Sequence, residues 1–391
     1  MKWSACAIGA GCVLGLALQS AAPQTTIPTP QVESPAQSSP PQNLGFSSQK
    51  WQFPNRDQVN EGVVTVMTGP VGGLTPIMGS DLARVLDDGD KLRILPIAGK
   101  GSVQNIIDIL YLKTIDMGFV VSDVMEFFKL QYNAQNIESH LRYIAKLYNN
   151  EIYIIAPTSI RSIYDLAGKK IMAPKDVGFF SALIIFSRLN IDATFDYQTD
   201  DTLALQKVID GQADAWIVSV GKIFPIARNL KNEGGRLHLV PIPYEKKLWD
   251  LYMPSQFTSE EYPNLIPAGQ TVDTLATGVI LAVFNWPENS ERYKRAARFT
   301  EAFFSKSEMF FKPPRNPKWK EMNIGAKALG WTRFKAAQDW LDRETKQSIG
   351  TVDEFRQFIS EKGLGPRKDL SQEEVLKMYD AYAEWARNNR K

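Results

Sequence analysis

The chain has 391 residues, with 45 basic and 43 acidic side chains, so its charges nearly cancel. This balance gives no strong field for nucleic acid or for an acidic membrane surface. The two cysteines, Cys6 and Cys12, both lie at the very start of the chain. Once a leader is removed there, disulfides and cysteine nucleophiles are excluded together.

The first 22 residues have the pattern of a secretory signal peptide, cleaved near Ala22. Lys2 is followed by an apolar run from Ala5 to Leu18, which is too short for a comfortable transmembrane helix. A lipid anchor on Cys6 or Cys12 is the alternative, but no convincing lipidation box precedes either residue. We therefore expect export to the periplasm. Residues 23–45 are rich in Pro, Gln and Ser, which predicts a disordered linker.

Short apolar strands and amphipathic helices then alternate, which predicts a mostly parallel sheet with helices on its faces. In chain order, the first unit comprises strand Val63–Met67, a helix with an apolar stripe from Leu74 to Leu86, strand Leu92–Pro96, helix Val103–Leu110 and strand Met117–Val121.

The same alternation returns after Pro157 and predicts a second α/β unit. It comprises a capped turn at Ser162 before Ile163–Leu166, strand Lys170–Ala173, helix Ala182–Leu189, helix Thr202–Ile209, and strands Ala215–Val220 and Leu237–Val240. Strand Ala276–Phe284 is expected to return to the first lobe. Asp116 and Asp214 precede matching strands in the two units and are interpreted as turn formers.

These patterns predict an α/β protein with two lobes. The expected domains are residues 46–156 for the first part of lobe 1, 157–260 for lobe 2, 261–312 for the return to lobe 1, and 313–391 for a helical C-terminal extension. The extension contains several tryptophans among many charges, which predicts packed amphipathic helices. One hypothesis is that it docks on a membrane partner. Normal transport after deletion from about Pro313, with the rest still folded, would contradict this hypothesis.

Ligands of open α/β sheets bind beyond the carboxyl ends of strands, where helix N-termini present free N–H groups. The candidate ligand-binding residues, all in or beside such loops, are Gly72, Gly73, Leu74, Lys100, Ser102, Asn105, Ser122, Asp123, Lys175, Phe179, Ser181 and Val220. Lys100 and Lys175 each offer an ammonium, although each is equally well explained as a solvated surface lysine. Phe179 either covers an apolar part of a ligand or belongs to the core. Taken singly, each glycine loop is also explained as a tight turn.

Catalytic motifs are few. The chain has only two histidines, His140 and His238, and no HExxH, CxxC or GxSxG motif. Metal hydrolysis and Ser-His or Cys-His catalysis are therefore disfavoured, while a pair of carboxylates stays open as an alternative. We predict no enzyme activity, no metal and no cofactor.

Several segments together resemble the TAXI-type solute-binding proteins of TRAP transporters. They are Thr68–Gly73, Gly101–Asn105, Ile115–Asp123, Asp165–Lys170, Asp210–Ala215 and Ile266–Gly269. The chain departs from the family pattern at Leu74, where an aromatic residue is usual, at Val121, where Gln is usual, and at Lys175–Val177, where small residues are usual.

The resemblance implies a two-lobed, type 2 periplasmic-binding-protein fold that closes on its ligand by a hinge. The implied ligand is a small organic anion, dicarboxylate or amino-acid-like, and the implied partners are TRAP-type membrane subunits. A ligand-sensing receptor module for a signalling partner is one alternative, and an enzyme on the same fold is another.

Overall fold

The computed structural model describes residues 60–89, 91–174, 177–197 and 200–349, together with Tyr382. The predicted signal peptide and linker, both cysteines and Lys175 lie outside the described residues. Across these ranges, every helix is too short or too polar to span a bilayer.

The first unit follows the predicted alternation closely. Its elements are β1 (Val63–Met67), α1 (Leu74–Leu86), β2 (Arg93–Ile97), α2 (Ser102–Tyr111), β3 (Met117–Val121), α3 (Val124–Tyr132) and α4 (Ile137–His140). The apolar stripe of α1 is buried at Met78, Leu82 and Leu86, as its spacing predicts.

The second unit begins with a strand that the sequence pattern did not indicate. Its elements are β4 (Leu141–Pro157), a 3₁₀ turn (Ile163–Leu166), β5 (Lys170–Ala173), α5 (Val177–Leu189), β6 (Thr194–Tyr197), α6 (Asp201–Ile209), β7 (Ala215–Val220), α7 (Pro225–Arg228), a short turn (Glu233–Gly235), β8 (Leu237–Leu239), a second 3₁₀ turn (Lys246–Leu248), β9 (Met253–Thr258) and β10 (Thr271–Phe284). Ser162 and Asp165 form the capping box that starts the first of these turns.

The strand order defines two equivalent lobes. The order is β2-β1-β3-β10-β4-β7-β5-β6. In lobe 1, β1 lies parallel between β2 and β3, with β10 antiparallel to β3. In lobe 2, β5 lies parallel between β6 and β7, with β4 antiparallel to β7. Each lobe is therefore a parallel three-stranded unit closed by one long antiparallel strand, and the predicted two-lobed α/β class is confirmed.

The long strands β4 and β10 run through both lobes. Glu151 on β4 pairs with Ala276 of β10 on one side and with Val220 of β7 on the other, so the change of partner falls at this residue. Before Ala276, β10 pairs with β9. The two lobes are thus joined by a pair of crossing strands at Glu151 and Ala276.

The similarity between the lobes extends to single side chains. Asp116 Oδ2 accepts a 3.0 Å hydrogen bond from the backbone N–H of Thr65 on β1. Asp214 Oδ2 accepts a 2.8 Å hydrogen bond from the backbone N–H of Lys170 on β5. Each carboxylate therefore ties the turn before one strand to the central parallel strand of its own lobe, as the turn-forming interpretation predicts.

The sheet separates two apolar cores in lobe 2. Along β4, Ile152 and Ile154 belong to the larger core, whereas Tyr153 and Ile155 belong to a second core that includes Trp216. Successive side chains of a strand point to opposite faces, so this alternation places one core on each face. The larger core continues through lobe 1.

In the part of the chain that the structure describes, β10 is followed by α8 (Glu291–Ser305), α9 (Ser307–Phe310), a third 3₁₀ turn (Pro317–Glu321) and α10 (Lys335–Ile349). Trp319 is fully buried and packs on Phe303 and Phe310. Trp331 Nε1 donates a 2.7 Å hydrogen bond to the carbonyl oxygen of Ser122. The first part of the extension is therefore packed into lobe 1, and a deletion from about Pro313 would remove two buried indoles.

Candidate functional site

A cavity of about 310 Å³ is walled by both lobes and by the strands that join them. Lobe 1 contributes Gly69, Pro70, Gly73, Leu74, Thr75, Gly101, Ser102 and Phe119–Val121; the crossing strands contribute Tyr148, Asn150 and Val279; lobe 2 contributes Pro174, Asp201, Val218–Gly221 and Phe224. Gly73, Leu74, Ser102 and Val220 are the sequence-predicted residues that line it.

Helices α1 and α2 both begin at the cavity wall. Their N-cap residues are Gly73 and Gly101, and neither helix has a side-chain cap. Helix α6 of lobe 2 differs, because Asp200 Oδ1 accepts from the backbone N–H groups of Thr202 and Leu203. A helix N-terminus has unsatisfied N–H groups and a partial positive charge. The N-termini of α1 and α2 thus give the lobe 1 wall two positive helix ends that lack a side-chain cap.

Two glycines give these loops their shape. Gly101 has a φ of 113°, in the region that favours glycine. A Cβ on Gly99 would lie 2.6 Å from the carbonyl oxygen of Thr68 and would collide with Asn105 Oδ1. The loops after β1 and β2 are therefore in direct contact, which leaves no space for a side chain between them.

Asn105 lies beneath these loops, away from the cavity lining. Its Nδ2 donates to the carbonyl oxygens of Thr68, at 3.0 Å, and Phe119, at 2.8 Å. The side chain is fully buried. Asn105 thus ties the loop after β1 to β3, and we assign it a positioning role instead of the expected ligand contact.

Ser102 combines a structural bond with a place in the cavity wall. Its Oγ accepts a 3.0 Å hydrogen bond from the backbone N–H of Val121. A serine hydroxyl has one proton to donate and two lone pairs. Ser102 can therefore donate to a bound acceptor while it keeps the bond to β3.

Ser122 is used inside lobe 1 and does not line the cavity. Its Oγ lies 3.0 Å from Thr277 Oγ1 and accepts a 3.2 Å hydrogen bond from the backbone N–H of Gly278. The residue is buried. Ser122 therefore joins β3 to β10, and both of these strands contribute residues to the cavity wall.

Asp123 and Ser181, also predicted as ligand contacts, bind each other in the interior. Asp123 Oδ2 accepts from Ser181 Oγ at 2.7 Å and from the Tyr252 hydroxyl at 2.8 Å. Burial removes water from this carboxyl and raises its pKa to about 6, although the two hydrogen bonds act in the opposite direction. The pair links α3 of lobe 1 to α5 of lobe 2.

The remaining predicted contacts that the structure describes are Gly72, Lys100 and Phe179, and they lie outside the cavity lining. Gly72 and Lys100 are exposed beside it, and Lys175 falls outside the described residues. Phe179 packs edge-on against Phe195 and Tyr197, with ring centroids 6.0 and 4.5 Å away. Its placement agrees with the core interpretation.

Sequence reasoning missed the contribution of the crossing strand. Tyr148 and Asn150 reach the cavity from β4, and Asn150 Nδ2 donates to the carbonyl oxygen of Ser219 at 3.4 Å. The Ser219 hydroxyl is buried and has no hydrogen-bond partner within the described residues. Because buried polar groups are normally hydrogen-bonded, a hydroxyl without a protein partner is available to bond to a ligand. The sequence feature that could have indicated this contribution is the pair of asparagines at 149–150, within the largely apolar strand β4.

Solved structures with a similar arrangement are distant in sequence. The periplasmic VFT2 domain of Bordetella pertussis BvgS has 13% identity over 65% of this chain and 92% of its own, with a TM-score of 0.38. The GluR0 ligand-binding core of Nostoc punctiforme, in complex with L-glutamate, has 14% identity over 66% and 95%, with a TM-score of 0.38. AbpA of Streptococcus pneumoniae, bound to L-arginine, has 13% identity over 69% and 99%, with a TM-score of 0.36. At these TM-scores the likeness adds nothing to what the strand order shows.

Two matching α/β lobes, crossing strands and a cavity between them define a two-lobed binding-protein fold. The model of the NMT1-like family matches residues 66–285, more than half of the chain. The chain therefore belongs to the NMT1-like family. No curated protein sequence matches it.

Proposed function

We propose that the protein is a periplasmic solute-binding protein that captures a small organic anion, dicarboxylate or amino-acid-like, in the cavity between its lobes. The observation that carries this proposal is the pair of uncapped helix N-termini at Gly73 and Gly101, which face the cavity. Backbone N–H groups at such termini bind carboxylates, and the helix dipole adds to the attraction. We place the anionic group of the ligand against lobe 1.

The opposite wall supplies two neutral polar side chains and, from lobe 2, the acidic side chain of Asp201. Ser219 and Asn150 line the cavity from lobe 2 and from the crossing strand. A volume of about 310 Å³ lies at the small end of the range for small-molecule sites, roughly 300–1,000 Å³. We therefore expect a ligand of amino-acid size, with a hydrogen-bond donor, such as an amino group, opposite its carboxylate.

We further propose that the captured ligand is delivered to a TRAP-type membrane transporter and is not chemically changed. The leader-like first 22 residues and the resemblance to TAXI-type subunits support delivery. The hydroxyl of Ser102, which lines the cavity, bonds to a backbone N–H and not to a basic side chain, which supports binding without turnover. Recovery of an unchanged ligand after prolonged incubation is the expected result, and a new product would contradict it.

The experiment is a thermal-unfolding screen of the purified protein against amino acids, dicarboxylates, keto acids, sulfonates and sugars. A ligand at about 100 times its dissociation constant adds roughly 2.7 kcal/mol and raises the unfolding midpoint by several degrees. We expect an organic anion to give this shift and sugars to give none. Mass spectrometry of the supernatant after denaturation detects any ligand that was already bound.

Two variants locate the site. Ser219→Ala removes the buried hydroxyl, and the affinity should fall about tenfold because a hydrogen bond to a ligand is lost. Ser187→Ala on the exposed face of α5 is the matched control and should bind as the wild type does. Equal affinities for both variants would contradict our placement of the ligand.

A further inference from the structure

The third 3₁₀ turn, Pro317–Glu321, and the preceding Asn316 contact both lobes. On lobe 1, the backbone N–H of Asn316 and the indole Nε1 of Trp319 donate to Asp81 Oδ2, at 2.9 and 3.0 Å. Asp81 is a buried residue of α1, and Trp319 is fully buried. The turn is therefore anchored in lobe 1 by a carboxylate and by a large apolar contact.

On lobe 2, the contact is made by Lys318. Its Nζ donates a 3.1 Å hydrogen bond to the carbonyl oxygen of Lys222, in the loop after β7. Glu321 Oε1, on the same turn, lies 2.5 Å from this ammonium. The Lys318 side chain is only 11% exposed, so water competes little for the bond to lobe 2.

Gly221 makes room for this contact. A Cβ at that position would lie 2.8 Å from Lys318 Nζ and 2.9 Å from its Cε. A side chain at Gly221 would therefore displace the ammonium from its position beside the Lys222 carbonyl.

The backbone of Lys222 is also bound at the point where the lobes meet. The backbone N–H of Lys222 donates to Glu151 Oε2 at 3.1 Å. Glu151 is the β4 residue at which the strand changes its partner from lobe 1 to lobe 2. Burial raises the pKa of Glu151, while the bond from Lys222 and the charges of Lys318 and Lys222 lower it. The backbone N–H of Lys222 is thus bound by Glu151, and its carbonyl oxygen is bound by Lys318.

This contact adjoins the cavity. Gly221 lines the cavity wall, and so does Tyr148, whose ring centroid lies 5.5 Å from Lys318 Nζ. A rotation of lobe 2 away from lobe 1 at Glu151 would carry the Gly221–Lys222 peptide with it. Because Trp319 stays fixed to lobe 1, such a rotation must break the bond between Lys318 and Lys222.

We propose that residues 316–321 form an interlobe clasp, in which Lys318 holds lobe 2 against lobe 1 and, together with the buried contact of Asp123 with Ser181, determines the balance between closed and open arrangements. The clasp acts in the protein without ligand, so it stands or falls independently of the ligand class proposed above. It gives the described part of the C-terminal extension a role in lobe closure.

The test measures the distance between the lobes in the full chain without added ligand. Cys6 and Cys12 are replaced by Ser, and spin labels are attached to cysteines introduced at two exposed positions, Lys113 in lobe 1 and Lys231 in lobe 2. Double electron–electron resonance then gives the distance distribution. Lys318→Met should increase the longer-distance population several-fold, whereas Lys320→Met, the adjacent exposed lysine, should leave the distribution as in the wild type.

A second variant covers the case in which Lys318→Met does not fold. Gly221→Ala leaves the lysine in place but displaces its ammonium, and it should give the same shift to longer distances. Lys318→Arg retains a donor and should restore part of the closed population. A variant counts only if it keeps its cooperative unfolding transition. If such a variant, Lys318→Met or Gly221→Ala, has the wild-type distance distribution, the clasp is overturned.

Discussion

The carboxylate of Asp123 in lobe 1 accepts a 2.7 Å hydrogen bond from the hydroxyl of Ser181 in lobe 2, with Tyr252 as a second donor. Asp123 is completely buried, and its pKa is raised from 3.8 to about 6. Between pH 3.8 and about pH 6, Asp123 is therefore protonated in the folded protein but ionised in the unfolded chain.

This shift predicts a defined pH dependence of stability. A raised pKa means that the contribution of Asp123 is fully present below pH 3.8 and is lost as the pH rises to about 6. The loss amounts to about 3 kcal/mol at most. In Asp123→Asn the group cannot titrate, so its unfolding free energy, measured by urea denaturation, should fall less across this window. Other carboxylates cancel in the difference, and parallel curves for the two proteins would contradict the prediction.

The bond between Trp319 and Asp81 predicts that the extension stabilises lobe 1. Trp319→Phe keeps the apolar packing but leaves Asp81 with fewer donors, and we expect a loss of about 1–3 kcal/mol in the free energy of unfolding. Trp249→Phe is the control, because Trp249 is 51% exposed, and it should change stability by less than about 0.5 kcal/mol. Similar stabilities for both variants would favour a separable extension.

The contact between the glycine loops predicts that a side chain at Gly99 lowers the free energy of unfolding. Gly99→Ala places a methyl group 2.6 Å from the Thr68 carbonyl oxygen and against Asn105, so the loops that begin α1 and α2 must move apart. We expect a loss of about 1–3 kcal/mol, because the backbone cannot give way as a flexible side chain does. Gly325→Ala meets its nearest atom at 3.4 Å and should be close to neutral in the same thermal-unfolding assay. A Gly99 variant as stable as the Gly325 variant would show that the loops are not in close contact.

The paired roles of Asp116 and Asp214 predict unequal effects of the same substitution. Asp116→Ala should lower the free energy of unfolding by about 3 kcal/mol, because the carboxylate is buried. It also accepts a hydrogen bond from Thr65 Oγ1, and its Oδ1 lies 3.7 Å from Arg295 Nε and 3.9 Å from Arg292 Nη2. Asp214→Ala should cost about 1 kcal/mol, because its side chain is 37% exposed and water replaces part of the interaction. Chemical denaturation of the two variants measures the ratio, and a reversed order would contradict this account.

The two α/β units could be predicted from local pattern because each short strand and each helix has its own periodicity. Strand β1 and helix α1 have the predicted bounds, and Asp116 and Asp214 have the predicted turn role. Strand β4 was not predicted, because its 17 residues interrupt an apolar run with Lys146, Asn149, Asn150 and Glu151. Those polar residues suit a strand that passes between two lobes, which is a property of the whole fold.

The sequence by itself determined the class of the protein, since apolar spacing and turn residues specify strands, helices and their order. It also indicated the loops that surround the cavity, because glycines and hydroxyl residues follow the strands there. Only the tertiary structure decided which side chains face the cavity and which bind one another. Asn105, Ser122, Asp123 and Ser181 satisfy partners that are 14 to 156 residues away, and no local pattern records such partners. Tyr148 and Ser219 line the cavity for the same reason: two distant strands meet only when both lobes have formed.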